Sequence, residues 1–455
     1  MARPNRYIRH MLCGHGAILA LAVLGPILSA DQVVSVAPTA GRSAHDQGSG
    51  PVLSASDSVF AAIQRTLASA SKERAIRIVH VGDSHSEQGG FAAELATRWS
   101  RGAPVAPAFV TPYSRGLGLV RIRLSAGWQR STWLRSQPTS IEGPSGSSAV
   151  TSRATASMVL TLPADLPDGS RMTLWWSGPA GASFRLRVGG VDRTIRRGSP
   201  QRTDAPLQAT TVPLPSGVKE IVLDGIRLPR RTRLRIGGFQ FERPDAHLEY
   251  DLLGLRSTTQ RHPVTHGAGT LGQYLGSRRH DLIILWYGTN SVRTAPFNSV
   301  RFRQDLAELI QLVRRASPQG SLIVVGPPDL AELPPALRPS TQTRATRRRS
   351  RPRPPPPIAC PEDSIAPSTR DRPTAVARRS HPNVVNVRDL MRQVALTNGA
   401  AFFDPYAVQG EAGGMVRWYC ATPRLSSGDL IHLTDAGYRQ LASSLAEALA
   451  RRPAP

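Results

Sequence analysis

Lysine is nearly missing from this chain: Lys72 and Lys219 are the only two, against 57 lysines and arginines together in 455 residues. The formal charge of +25 is therefore an arginine charge, and it reflects coding bias as much as a basic surface. Cysteine is scarce as well. Cys13, Cys360 and Cys420 form no CxxC pair and no His/Cys cluster at zinc spacing, so no metal site and no cofactor is expected. No basic helix with interleaved aromatics occurs, which argues against a nucleic-acid partner. What remains is ample: 40% of the residues are apolar, enough to fill the cores of two or three domains at this length.

The first thirty residues stand apart. Arg3, Arg6 and Arg9 precede the apolar run "ILALAVLGPIL" at 18–28, the pattern of an export signal. Eleven residues fall short of the ~20 needed to cross a bilayer. Extension back to Met11 would make an uncleaved N-terminal membrane anchor, and "LSA" before Asp31 is an imperfect cleavage site. A buried N-terminal helix is the third reading. Residues 1–30 are thus expected to be a signal peptide or anchor and 31–53 a flexible leader. In an oxidising compartment Cys360 and Cys420 either pair or stay as two free thiols.

Beyond the leader, the rhythm is strand, turn, helix. "SDSVFAAIQRTLASA" carries a capped helical pattern, "AIRIVHV" is a continuous apolar strand, and "GGFAAELATRW" is helical again. Residues 54–125 open a doubly wound α/β sheet. From 126 to 245 the chain changes to short β runs such as "SMVLTL", "MTLWWSG" and "TRLRIGGFQFE" between Gly/Pro turns, the signature of an inserted sandwich or jelly roll. Its Trp175, Trp176, Phe184 and Phe239 can stack on sugars or fill a core. The α/β pattern resumes over 246–333 and 374–452. Between these lies 334–373, with "TQTRATRRRSRPRPPPP" at its centre. Proline and like charges exclude a packed core there, so it reads as a disordered basic loop, a linker or a tether to an anionic envelope polymer.

Polar residues gather at strand ends, where doubly wound sheets hold their ligands: "GDSH" after the first strand, "YGTN" after the strand at 281–286, and "GDLIHLT" before the last helix. A nucleophilic serine needs a base, an acid behind the base, and donors for an oxyanion. Ser84 stands at the first strand end. Asp429 and His432, three apart, can present both side chains to one side, with Asp429 on Nδ1 and Nε2 left for Ser84. Asn290 offers a side-chain amide, and the Ser84 amide a second donor at a helix start. His85 reads as a supporting or surface residue, and Trp418 flanks the site or fills the core. "GAGTLG" at 267–272 follows no strand and carries no dinucleotide signal. No GxSxG elbow is present.

"VGDSHSE", "LWYGTN" and "GDLIHLTDAGY" resemble the first, third and fifth blocks of the SGNH (GDSL-type) hydrolases. The placement of the β insert is similar to that in exported bacterial peptidoglycan O-acetylesterases. The resemblance implies a flavodoxin-like three-layer α/β/α domain with an inserted β-sandwich, Ser84 as nucleophile, His432 as base, Asp429 as its acid, and Ser84, Asn290 and a glycine as oxyanion donors. That glycine is Gly254 by position, with the Ser257 amide and Gly267 as rivals, because the block continues as Arg256-Ser257-Thr258. The implied substrate is acetylated polysaccharide or peptidoglycan in the periplasm or cell envelope. Transfer of acetyl to a second sugar, or wall binding without turnover, are the alternatives.

Overall fold

The computed structural model describes residues 33–36, 51–71, 73–106, 108–113, 116–135, 141–163, 166–197, 206–332, 358, 360 and 379–451. The signal or anchor at 1–30 lies outside them, as do 37–50 and, apart from 358 and 360, the basic loop. Among the described residues no helix is long and apolar enough to cross a membrane.

The chain enters through β1 (Val33–Val36), β2 (Leu53–Ser56), α1 (Asp57–Ala68), β3 (Ile76–Gly82), α2 (Ser84–Glu87), α3 (Gly90–Trp99) and β4 (Val105–Ala106). Ser56 caps α1 by accepting the Val59 N–H. β1 pairs antiparallel with β2, so part of the expected flexible leader is a sheet edge. Short β-branched runs pair readily once an edge is available.

Ten strands then break the α/β order after the short β5 (Ala108–Val110): β6 (Arg121–Leu124), β7 (Gln129–Thr132), β8 (Ser147–Thr151), β9 (Met158–Thr161), β10 (Arg171–Ser177), β11 (Ser183–Val188), β12 (Val191–Arg196), β13 (Gln208–Pro213), β14 (Glu220–Arg227) and β15 (Leu234–Glu242). They form two antiparallel sheets, β13-β10-β15-β8-β7 with β5 on β15, and β12-β11-β14-β9-β6. Both sheets feed one core, with Leu174, Trp176 and Phe239 from the first meeting Leu160, Phe184 and Leu223 from the second. The boundary expected at 125 moves: β5 and β6 already pair with strands of these sheets. Trp175 turns the other way and joins Phe109 against Tyr274, with ring centroids 5.3 and 4.9 Å apart, docking the insert on the α/β unit. All four insert aromatics named above are buried, so none offers a face to a sugar.

The α/β unit is completed by β16 (Leu248–Gly254), α4 (Arg261–Thr265), α5 (Ala268–Gly276), β17 (Leu282–Trp286), α6 (Thr289–Val292), α7 (Ser299–Ala316), β18 (Ser321–Val325), β19 (Ala331–Glu332), β20 (Arg379–Ser380), α8 (Asn383–Thr397), β21 (Ala401–Phe403), α9 (Pro405–Val408), α10 (Gly414–Cys420) and α11 (Asp435–Ala450). Its sheet runs β1-β2-β21-β18-β17-β3-β16-β4. The strands from β21 to β4 are mutually parallel. Alternate residues of β17 face opposite layers: Leu282, Ile284 and Trp286 meet α1, α3 and α11, while Ile283 and Leu285 meet α5, α7 and α8. Burial on both faces explains why β17 is an unbroken apolar run.

Leaving aside the two-residue β4, the parallel strands follow the order 2-1-3-4-5, which reverses direction between β3 and β17. Ligands of doubly wound sheets bind outside the carboxyl ends at such a reversal. The chain leaves β3 at Ser84 and β17 at Asn290.

Candidate active site

The turn after β3 is built on two glycines. Gly82 and Gly254 are register partners at the ends of β3 and β16, and α2 lies directly over them. A Cβ on Gly254 would overlap the Glu87 amide nitrogen and come within 2.6 Å of its Cα; one on Gly82 would collide with the Ser86 side chain and the Trp286 carbonyl. The short helix can approach the sheet only because both side chains are missing. Asp83, not Ser84, caps it: the carboxylate accepts the His85 N–H at 3.0 Å, and the Asp83 N–H donates to the Trp286 carbonyl at 3.1 Å. Ser84 is left half-buried as the first helical residue, its hydroxyl facing the cleft.

The opposing wall is the turn between α10 and α11. Ser426 bridges Leu433, the Ser426 hydroxyl donates to the Met415 carbonyl at 2.8 Å, and Leu430 is buried at a left-handed φ of 53°. Within this turn Asp429 Oδ1 accepts the N–H groups of Ile431 and His432 at 3.0 and 2.9 Å, while Oδ2 lies 2.6 Å from His432 Nδ1. His432 Nε2 lies 2.9 Å from Ser84 Oγ. With Nδ1 donating to the carboxylate, Nε2 is the acceptor for the Ser84 hydroxyl proton. Burial alone would raise the Asp429 carboxyl, but bonds from the His432 ring, the Ser427 hydroxyl and the two backbone amides outweigh it and hold the group well below the usual carboxylate range.

Asn290 stands on α6 beside the same cleft. Its Nδ2 donates to the Thr258 carbonyl at 2.9 Å and to Asp83 Oδ2 at 3.4 Å. The longer of these is the hydrogen that a developing oxyanion can recruit, since contacts of this kind tighten only on complex formation. Gly254, the oxyanion donor expected by position, is buried beneath α2 and is not among the residues lining the cleft, where Ser257 stands. Ser257 adopts a left-handed φ of 64°, and neither its N–H nor that of Ser84 has an acceptor among the described residues. Gly267 is spent elsewhere, donating to the Pro263 carbonyl at 3.1 Å.

The cleft has a volume of about 410 Å³, within the range of small-molecule sites. Besides Ser84, Asn290 and His432 it is lined by Glu87, Gln88, Tyr113, Arg256, Ser257, Arg293 and Ile431. Sequence reading did not assign Glu87, Tyr113, Arg256 or Arg293 to the site. An arginine carries no signal in a chain so rich in them, though Arg293 lies only three residues beyond Asn290. Among the described residues no group of His, Cys, Asp or Glu is arranged to hold a metal ion. Trp418 belongs to the core.

Three buried titratable groups support this site. His85 stacks on Trp286 at 5.1 Å and bonds the Tyr438 hydroxyl at 3.0 Å; it is a core residue rather than a surface one. His80 bonds Ser86 Oγ at 2.9 Å and the Tyr250 hydroxyl at 3.2 Å. Burial lowers both imidazoles to about 3 and pushes the Asp83 carboxyl up to about 7. Each imidazole takes a proton in the unfolded chain near pH 6.5 but in the fold only near 3. Their contribution is therefore full above about pH 6.5 and lost as pH falls below it. Asp83 acts oppositely, holding its proton in the fold, so its contribution declines as pH rises from about 4 to 7. His85→Gln removes one imidazole's share of this dependence, so the melting temperature of the wild type relative to that variant should fall as pH drops from about 6.5 to about 4.5. A flat or inverted difference in thermal unfolding would contradict the burial of the His85 ring.

No family model matches the sequence, and no curated protein matches it. Among solved structures, a peptidoglycan O-acetylesterase is similar over 86% of this chain and 95% of its own, at 20% identity and a TM-score of 0.60. The chain is thus a structural relative of that esterase and shares its fold. Two other structures are more distant. An active-site mutant of a family two carbohydrate esterase from Clostridium thermocellum covers 72% of this chain and 97% of its own at 9% identity. An acetyl xylan esterase covers 44% and 80% at 12% identity. Their TM-scores are both 0.27, too low to bear on the fold.

Proposed function

We propose that this chain is an exported serine esterase of the SGNH type that removes O-acetyl groups from a cell-wall or extracellular polysaccharide, with peptidoglycan the polymer we favour. Ser84 Oγ attacks the ester carbonyl while His432 Nε2 takes its proton, and Asp429 stabilises the imidazolium that forms. The amides of Ser84 and Ser257 and the Asn290 side chain receive the oxyanion. His432 then gives the proton to the departing sugar hydroxyl, and a water deprotonated by the same ring releases acetate from the acyl-enzyme. No cofactor enters this sequence. The inserted unit, read as a jelly roll, helps to hold the polymer across the cleft.

The observation that carries the reading is the unbroken chain of contacts from Asp429 Oδ2 through His432 to Ser84 Oγ, at 2.6 and 2.9 Å, opening on a cleft that also holds Asn290. The likeness in fold to a peptidoglycan O-acetylesterase supports the choice of substrate. The test is acetate release from purified O-acetylated wall fractions, followed by mass spectrometry. Asn290→Ala should lower kcat by roughly a hundredfold with little change in KM. An unchanged kcat would remove Asn290 from the oxyanion site. Binding of wall polymer without any release would favour the non-catalytic alternative.

A further inference from the structure

The cleft beside Ser84 is lined by charge more than by apolar surface. Tyr113 is the one aromatic on its wall and Ile431 the one aliphatic, so a sugar finds little to stack on. Its one carboxylate, Glu87, is buried and saturated. Glu87 accepts the Arg256 amide at 2.6 Å, the Arg256 guanidinium at 2.9 and 3.1 Å, and Arg130 at 3.4 Å. The Arg256 side chain nevertheless stays 64% exposed. A buried anion thus fixes the direction of this guanidinium and leaves its outer edge to the cleft. Arg293 is exposed on the same wall and has no ion-pair partner among the described residues. Along the wall of the cleft one carboxylate, itself already paired, therefore stands against two guanidinium groups, those of Arg256 and Arg293.

A neutral acetylated sugar has no use for this excess, because hydroxyls are met equally well by amides and carboxylates. A planar guanidinium fork is matched instead to a carboxylate, and a concave wall of one sign concentrates its field on a bound anion. We infer that Arg293, with the outer edge of Arg256, selects a saccharide bearing a carboxylate close to the acetylated hydroxyl. The inference rests on the esterase reading above and narrows its substrate. Such a carboxylate is offered by the lactyl or peptide acid of an amino sugar in peptidoglycan, and equally by the ring acid of a uronate.

Initial rates on three O-acetylated substrates separate these sources: a muramic-acid-containing wall fragment, an oligouronate, and a neutral xylo-oligosaccharide. The wild type should favour at least one acidic substrate over the neutral one, and the acidic substrate so favoured identifies the source. Arg293→Gln should lower the acidic-to-neutral ratio of kcat/KM by about tenfold, the scale of one charge-assisted hydrogen bond, chiefly through KM. Arg293→Lys should recover part of the ratio, and added salt should erode it in the wild type. A ratio identical in wild type and Arg293→Gln, whether both rates fall together or neither moves, overturns the assignment. Ser84→Ala in parallel keeps the two ideas apart. If that variant abolishes acetate release while the ratio is insensitive to Arg293, only the specificity claim fails; if it releases acetate like the wild type, the esterase reading fails with it.

Discussion

Ser84→Ala is expected to lower kcat on 4-nitrophenyl acetate by roughly a thousandfold or more, leaving a soluble protein of near-native melting temperature. The size follows from the chemistry. On the esterase reading the alanine variant loses the group proposed to form the acyl-enzyme, and what remains is whatever the oxyanion donors and binding alone can do. The small stability change follows from the structure, because Ser84 Oγ is half-buried at a cleft and bonds only His432 Nε2. Intact-protein mass spectrometry under rapid quench adds a second readout, with an acetyl adduct in the wild type and none in the variant. Hydrolysis at the wild-type rate would show that some other nucleophile does the work.

Gly254→Ala should produce the largest loss of stability of any variant considered. The added methyl meets backbone, the Glu87 amide and the Ser86 carbonyl carbon, rather than the yielding end of a side chain. Relief requires α2 to lift from β16, at a cost of about 1–3 kcal/mol for overpacking, and Ser84 sits at the head of that helix. Both melting temperature and kcat should therefore drop together. The same experiment distinguishes packing from donation: if Gly254 mattered only for its N–H, alanine would retain the donor and neither quantity would move. Thermal unfolding and steady-state kinetics on the one variant decide between them.

The parts of the molecule that were legible in its sequence share a physical cause. Strands buried on both faces are mostly apolar, so β17 and, despite Arg77 and His80, β3 announced themselves, and the turns leaving them carried Ser84 and Asn290. Asp429 and His432 were legible as a pair because three residues of separation suffice to link them in a turn. What was missed or left open depends on contacts distant in the chain. β5 and β6 are short and belong to the insert only through pairing with β15 and β9. The pairing of Cys360 with Cys420 depends on a separation in space that two lone thiols do not reveal. Ser257 reaches the cleft wall through a left-handed backbone that serine seldom adopts, whereas Gly254, the residue with that freedom, is used for close packing instead.

The hydroxyl of Ser84 and the imidazole it contacts are separated by 348 positions along the chain. On the esterase reading, any fragment that holds only one of the two carries a serine without its base, which is a poor nucleophile, or a base without its serine. Reactivity toward esters would then belong to the assembled fold and to no single segment of it.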